Sequence, residues 1–100
     1  MYNRGYTTGV FDLFHIGHLK ILQKAKKLSK KLIVGVSSDE VVYSYKGRYP
    51  IIPFEERLEI VSSIDFVDEA IVQNTMNKID AWEKVKYDAL FHGDDWKGSE

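Results

Sequence analysis

The chain contains no cysteine in its 100 residues. A disulfide framework is therefore excluded, and a reducing compartment, the cytoplasm, is the expected location. Long hydrophobic runs are also missing. No apolar stretch approaches the ~20 residues that span a bilayer, and Met1-Tyr2-Asn3-Arg4 leads into a strand-like segment instead of a signal-peptide core, so no membrane insertion is expected. Charge of one sign is not in excess, since the formal net charge is -1. Nucleic acid and anionic membranes reward a large positive excess, so neither is expected as the main partner. Lys24, Lys26, Lys27, Lys30 and Lys31 concentrate positive charge locally and read as a solvated helix face. There are only two prolines, both between Lys46 and Pro53, and no internal repeat or low-complexity stretch. The length fits one domain, at the small end for burying a core and one that gains from a partner.

What is present is 44% hydrophobic and 29% charged residues, an ordinary globular balance. Tyr6 to Phe11 is short, rich in strand formers and punctuated by glycine, and reads as a first strand. From Gly17 to about Lys30 the pattern turns helical: Leu19, Leu22, Ala25 and Leu28 recur every three residues with lysines opposite. Leu32 to Val36 is a continuous apolar run, as in a strand buried on both faces. Ser38-Asp39-Glu40 can cap a short helix through about Tyr45. Lys46 to Pro53, KGRYPIIP, reads as a loop. Pro53 then opens a helix that places Phe54, Leu58 and Val61 on one face. Phe66 to Val72 is a third strand, Asn77 to Lys86 a weaker helix, and Ala89 to His92 a fourth strand. The resulting β-α-β-α-β-α-β order implies an α/β domain with a mainly parallel sheet and helices on both faces. In such sheets ligands bind at the carboxyl ends of strands, which here means the loops beginning near Phe11, Ser37 and His92.

The sharpest feature is His15-Ile16-Gly17-His18, set between a strand and an amphipathic helix. A helix N-terminus favours anions through its free N–H groups and dipole. Gly17 lets backbone approach a ligand closely. Histidines three apart on the first turn can face the same way and donate to phosphate oxygens. Two other readings of the histidines are weaker. No cysteine, third histidine or suitably spaced carboxylate completes a zinc set. Incidental polarity at a helix start is ordinary for one histidine but less so for two around a glycine. A dinucleotide fingerprint is excluded, because G-x-G-x-x-G is absent.

Gly9 to His18, GVFDLFHIGH, resembles the G-x-F-D-x-x-H-x-G-H signature of the cytidylyltransferase family, part of the HxGH nucleotidyltransferase superfamily. Within it the bacterial glycerol-3-phosphate enzymes are the most similar. Supporting stretches are Ser38-Asp39-Glu40, Lys46-Gly47-Arg48, Pro53 to Arg57, Val67-Asp68-Glu69 and Gly93-Asp94-Asp95-Trp96. The resemblance implies a Rossmann-like three-layer sandwich formed by residues 1–100 as a single nucleotidyltransferase domain. It implies transfer of CMP from CTP to a small phosphorylated alcohol, with Mg²⁺ as cofactor and pyrophosphate released. An ATP-using adenylyltransferase of the flavin or heptose type and a non-catalytic nucleotide-binding module are the alternatives. Carried over by position, His15 and His18 contact the triphosphate, Lys46 is a phosphate-contacting loop lysine and Arg57 lies near the substrate phosphate. Without the resemblance, Lys46 reads equally as an ordinary loop lysine and Arg57 as half of a surface ion pair. Gly9, Val10, Phe11 and Gly17 line the nucleotide pocket together with Gly93, Asp94 and Trp96. The family often carries Thr at the place of Val10, a hydroxyl this chain lacks there. Asp12 and Asp94 are candidates for Mg²⁺ or polar substrate contacts, or simple turn-formers. Trp96 packs on a base or caps the core. A homodimer is implied. The family's R-T-x-G-[IV]-S-[ST]-[ST] signature, with a fifth strand and a last helix, is not found in the sequence. The chain is thus expected to be C-terminally incomplete, with greatly reduced activity on its own.

Overall fold

A computed structural model describes residues 2–74 and the backbone of 89–92. Its elements in chain order are β1 (Tyr2–Gly9), α1 (Ile16–Lys27), β2 (Ser29–Ser37), α2 (Asp39–Lys46), α3 (Phe54–Ser62), β3 (Glu69–Gln73) and β4 (Ala89–His92). The four strands form one parallel sheet in the order β3-β2-β1-β4. The chain steps outward from β1 to β3 and then returns to the other side of β1. The direction of stepping therefore reverses at β1, which makes its carboxyl end the topological switch point of this α/β fold.

Leu32, Val34 and Val36 point from β2 to one face of the sheet. They pack with Leu22 and Ala25 of α1, Val61 of α3, Phe11 and Val67 in one buried cluster. These alternating apolar positions hold α1 and α3 against the sheet, and their burial is the main favourable term in its assembly. On the opposite face Tyr6 and Ile33 are also buried. The Tyr6 hydroxyl donates to Oε1 of Gln73, crossing above Gly35. A Cβ on Gly35 collides with that hydroxyl, so the bare backbone there is required by the crossing.

Several boundaries differ from the sequence reading. Strand β1 begins at Tyr2, not Tyr6, because its ladder to β2 runs from Tyr2↔Ser29 onward. It stops at Gly9 because Phe11 and Leu13 adopt left-handed backbone, φ 55 and 50. Strand β2 begins at Ser29 and takes in the exposed Lys30, where the helix was expected to end, and Lys31. Between Phe66 and Asp68 the backbone turns, and β3 starts only at Glu69. Two helices, α2 and α3, lie between β2 and β3. Lys46 closes α2 instead of opening a loop, and Gly47 follows in left-handed conformation, φ 76, its N–H donating to the Tyr43 carbonyl at 2.9 Å. That C-terminal geometry strongly favours glycine. The helix expected over Asn77–Lys86 lies outside the described residues.

Candidate functional site

The loop from β1 to α1 carries the histidines. His15 is the N-cap of α1: its Nδ1 accepts from the Gly17 amide at 2.9 Å. His18, one turn on, accepts from the His15 amide through its own Nδ1 at 3.1 Å. This is a reciprocal cap in which imidazoles take the places usually held by a hydroxyl and a carboxylate. A backbone N–H can only donate, so both Nδ1 atoms are unprotonated acceptors. The cap thus uses the Nδ1 edge of each ring, and the Nε2 edge takes no part in it. The two rings are 4.1 Å apart between centroids. The His18 ring also packs against Phe11 at 5.7 Å and Phe14 at 5.2 Å. Gly17 is needed because the His15 ring folds over it: a Cβ there comes within 2.7 Å of the ring.

A cavity of about 610 Å³ opens beside this junction, a size typical of small-molecule sites. One wall is the end of β1, with Thr8, Gly9, Val10, Phe11 and Asp12, joined by His18. The facing wall comes from α2 and the segment after it, with Val42, Tyr45, Lys46, Arg48, Tyr49 and Ile51. The structure thus brings Gly9, Val10, Phe11, Asp12, His18 and Lys46 to one place. His15 and Gly17 stand next to it at the helix start. Arg48, Tyr45, Tyr49 and Thr8 also line the cavity, although the sequence reading gave none of them a place in the site. Arg48 was within reach of it, as the next cation after Lys46 across a helix-ending glycine. The tyrosines carried no signal, since surface aromatics at such spacing are common.

Arg57 is engaged within the protein. It is fully buried, at 0% exposure. Its Nε donates to the Ile52 carbonyl at 2.8 Å, and Nη1 donates to the carbonyls of Val10 at 2.7 Å and Ser37 at 2.8 Å. Nη2 pairs with Oδ1 of Asp39 at 2.5 Å. In this arrangement Arg57 is neither a surface ion pair nor an open phosphate clamp. Asp12 is likewise engaged: its two carboxylate oxygens accept from the amides of Ile51 and Ile52, each at 2.9 Å. Partial burial works to raise its pKa, but the two amides and the charge of Arg57 outweigh that and hold it below the usual carboxylate value. Among the described residues no group of three or more His, Asp or Glu side chains stands together to hold an ion. Those residues do not fit a protein-built magnesium cage. Gly93, Asp94 and Trp96 lie outside the described residues.

Comparison with known proteins adds the following. Residues 6–99 match the family described as cytidylyltransferase-like. Over 93 residues the chain is 44% identical to glycerol-3-phosphate cytidylyltransferase of Bacillus spizizenii, covering 92% of this chain and 71% of that protein. It is 42% identical over 96 residues to the bifunctional protein HldE of Nitratiruptor, covering 95% of this chain but only 21% of that one. It is 40% identical over 88 residues to FAD synthase of Pyrococcus abyssi, with 87% of this chain and 60% of that protein covered. The chain therefore spans between 21% and 71% of the length of these relatives. Among solved structures, a lipopolysaccharide core biosynthesis protein from Thermoplasma volcanium superposes with a TM-score of 0.83 at 33% identity, covering 91% of this chain and 74% of that one. Among the described residues no helix is long and apolar enough to cross a membrane. With a parallel sheet, a histidine-capped helix at its switch point and a match along nearly all its length, the chain belongs to the cytidylyltransferase-like family of nucleotidyltransferases.

Proposed function

We propose that this chain is the catalytic domain of a cytidylyltransferase that moves CMP from CTP to a small phosphorylated alcohol, glycerol-3-phosphate above others. One observation carries the reading. His15 and His18 cap the start of α1 through their Nδ1 atoms, beside a cavity that also holds Lys46 and Arg48, and we assign their Nε2 edges to the phosphates. Donors of this kind, fixed before the substrate arrives, are what a reaction that builds charge on phosphate oxygens requires. In this reaction an oxygen of the acceptor's phosphate attacks the α-phosphorus of CTP in line. The bond from that phosphorus to the β-phosphate bridging oxygen breaks, and pyrophosphate leaves. A phosphate monoester is already anionic near neutral pH, with a second pKa near ~6, so the attacking group needs no base. The cavity's side chains suit that, since they offer hydrogen-bond donors and cations. Lys46 and Arg48 balance the charge of the triphosphate, and the histidines meet it at the helix N-terminus. A magnesium ion in this reading comes with the nucleotide's phosphates, because the described side chains assemble no cage for one. The homodimer implied by resemblance is part of the same proposal.

The preference for CTP and glycerol-3-phosphate leans on the 44% identity to the Bacillus enzyme. A second reading, adenylyl transfer from ATP, is favoured by the 40% and 42% identities to FAD synthase and to HldE. Pyrophosphate release by the full-length protein decides between them. CTP and ATP are each offered with glycerol-3-phosphate, phosphoethanolamine and phosphocholine. Release with CTP and glycerol-3-phosphate supports the first reading. Activity confined to ATP overturns it in favour of the second. Tight CTP binding without turnover overturns both and leaves a binding module.

A further inference from the structure

Resemblance sends Asp12 to a metal and Arg57 to a phosphate, yet both side chains are occupied within the protein. We propose that Asp12 and Arg57 are positioning residues: together they clasp residues 47–53 onto the carboxyl ends of β1 and β2 and so set where the Lys46 and Arg48 wall stands relative to His18.

Residues 47–53 join α2 to α3 without regular structure. The segment is exposed over most of its length, with Ile51 at 73%. Such a stretch has little buried surface to hold it. It is held instead at Ile51 and Ile52. Both amides donate to Asp12, and the Ile52 carbonyl accepts from Arg57 Nε. Residue 52 is thus gripped from both sides. The same guanidinium reaches the carbonyls of Val10, just past β1, and of Ser37, at the end of β2, and the first turn of α2 through Asp39. One planar fork therefore fixes four segments at once, which its rigid donor geometry suits and an ammonium's does not.

The backbone around Asp12 points the same way. Phe11 and Leu13 flank it in left-handed conformation, φ 55 and 50. For residues with a Cβ this conformation is unfavourable and persists where the surroundings over-determine it. Arg57 on the Val10 carbonyl and Asp12 on two amides supply that determination. The two clasped segments are the two walls of the cavity, Gly9–Asp12 and Lys46–Ile51. A shift at the clasp changes the separation of the cations from the histidines without altering either set. Sub-ångström placement of such groups has large effects on rate.

The clasp rests on the nucleotidyl-transfer reading only for its kinetic consequence, so the test has two arms. The first needs no substrate. Amide hydrogen exchange is measured in the full-length protein and in Asp12→Ala, Asp12→Asn and Arg57→Lys. In Asp12→Ala the Ile51 and Ile52 amides are expected to exchange at least about tenfold faster, because hydrogen bonds to a charged group contribute about 1.5–3 kcal/mol each. Strand amides of β1 and β2 keep their protection. Arg57→Lys, which preserves charge but not the fork, loosens the same amides. In the second arm, KM for the nucleotide rises about tenfold or more in Asp12→Asn, while the Mg²⁺ concentration giving half-maximal rate at saturating nucleotide stays put. Unchanged exchange at Ile51 and Ile52 in Asp12→Ala overturns the clasp. So does an Asp12→Asn enzyme whose principal defect is a raised Mg²⁺ requirement. If the unaltered protein transfers no nucleotide, the functional reading falls, and the exchange arm still decides the clasp.

Discussion

His15 has two tasks in this structure, and a pair of substitutions separates them. Its Nδ1 caps α1 through the Gly17 amide, and its Nε2–H is the donor proposed to meet phosphate. Replacement by Ala removes both. Loss of an N-cap costs about 1 kcal/mol. For a domain near this size that lowers Tm by about 4–8 °C. Loss of one donor aimed at developing charge costs about 10²–10³ in kcat, or about 3–4 kcal/mol of transition-state stabilisation. The rate is therefore expected to fall far more than stability does. Asn is among the best N-capping residues, and its carboxamide ends short of the place where the imidazole Nε2 stands. In His15→Asn the Tm is expected to recover and the rate is not.

The measurements are thermal unfolding followed by circular dichroism and pyrophosphate release under saturating substrates. Three proteins are compared: the parent, His15→Ala and His15→Asn. If His15→Asn regains most of the parent rate together with its Tm, His15 acts on the reaction only by capping α1. The Nε2–H argument is then wrong. If His15→Ala loses no stability, the Gly17 amide has another partner and the cap itself is refuted. A third substitution sharpens the result. His18→Ala removes the acceptor of the His15 amide and a ring 4.1 Å from its neighbour. The double variant is expected to lose little more rate than either single one, because residues that act as a unit are not additive.

Other residues give independent checks. Gly17→Ala places a methyl 2.7 Å from the His15 ring and displaces it; turnover is expected to drop about tenfold or more, with stability changed by less than about 1 kcal/mol, since Ala is the better helix former. Gly47→Ala puts a side chain on φ 76 with open space around it, so the cost is conformational, about 1–2 kcal/mol, read as a lower urea midpoint with an unchanged slope. Asp68 accepts from Lys26 Nζ at 2.8 Å and the Leu32 amide at 2.7 Å. Those bonds, the Lys26 one foremost, hold its pKa below the ordinary 3.8. A depressed carboxylate adds stability above its unfolded pKa and loses it as pH falls through the folded one. Asp68→Asn is therefore expected to cost about 1 kcal/mol or less at pH 7, the pair being partly exposed, and the difference from the parent should shrink as pH falls below 3.8 through the lowered folded value. A difference that does not change with pH across the acid range refutes the electrostatic origin.

The parts of this fold that were legible in the sequence are those whose cause is local or periodic. Leu32 to Val36 reads as a buried strand because side chains on both faces are covered. Helix α1 reads from its leucine spacing. The extensions of the strands are not legible, because Tyr2–Gly5 and Ser29–Lys31 are held by the backbone ladder and not by apolar side chains. Phe66–Val67 misleads for the converse reason. Val67 is buried in the core, but its amide donates to the Ile64 carbonyl in a turn. Apolarity reports burial there, not strand. The histidine junction is legible because two rings and a glycine within four residues can be judged on a single helical turn. Its reciprocal cap is not, since capping boxes are sought among hydroxyls and carboxylates.

The clasp lies beyond sequence reading altogether. Its bonds join residues 39, 40 and 47 positions apart, and only the parallel pairing of β1 with β2 brings their ends together. Parallel strands that stop side by side leave their last carbonyls without ladder partners, and buried carbonyls need donors. The carbonyls of Val10, one residue past β1, and of Ser37, at the end of β2, both accept from a guanidinium entering from α3. Composition rules place arginine at the surface, so they send Arg57 outward. The resemblance picked out the same residue but gave it a ligand. The geometry supports a different cause for its place in the motif: one buried, many-donor side chain satisfies the carbonyls of Val10, Ser37 and Ile52 at once.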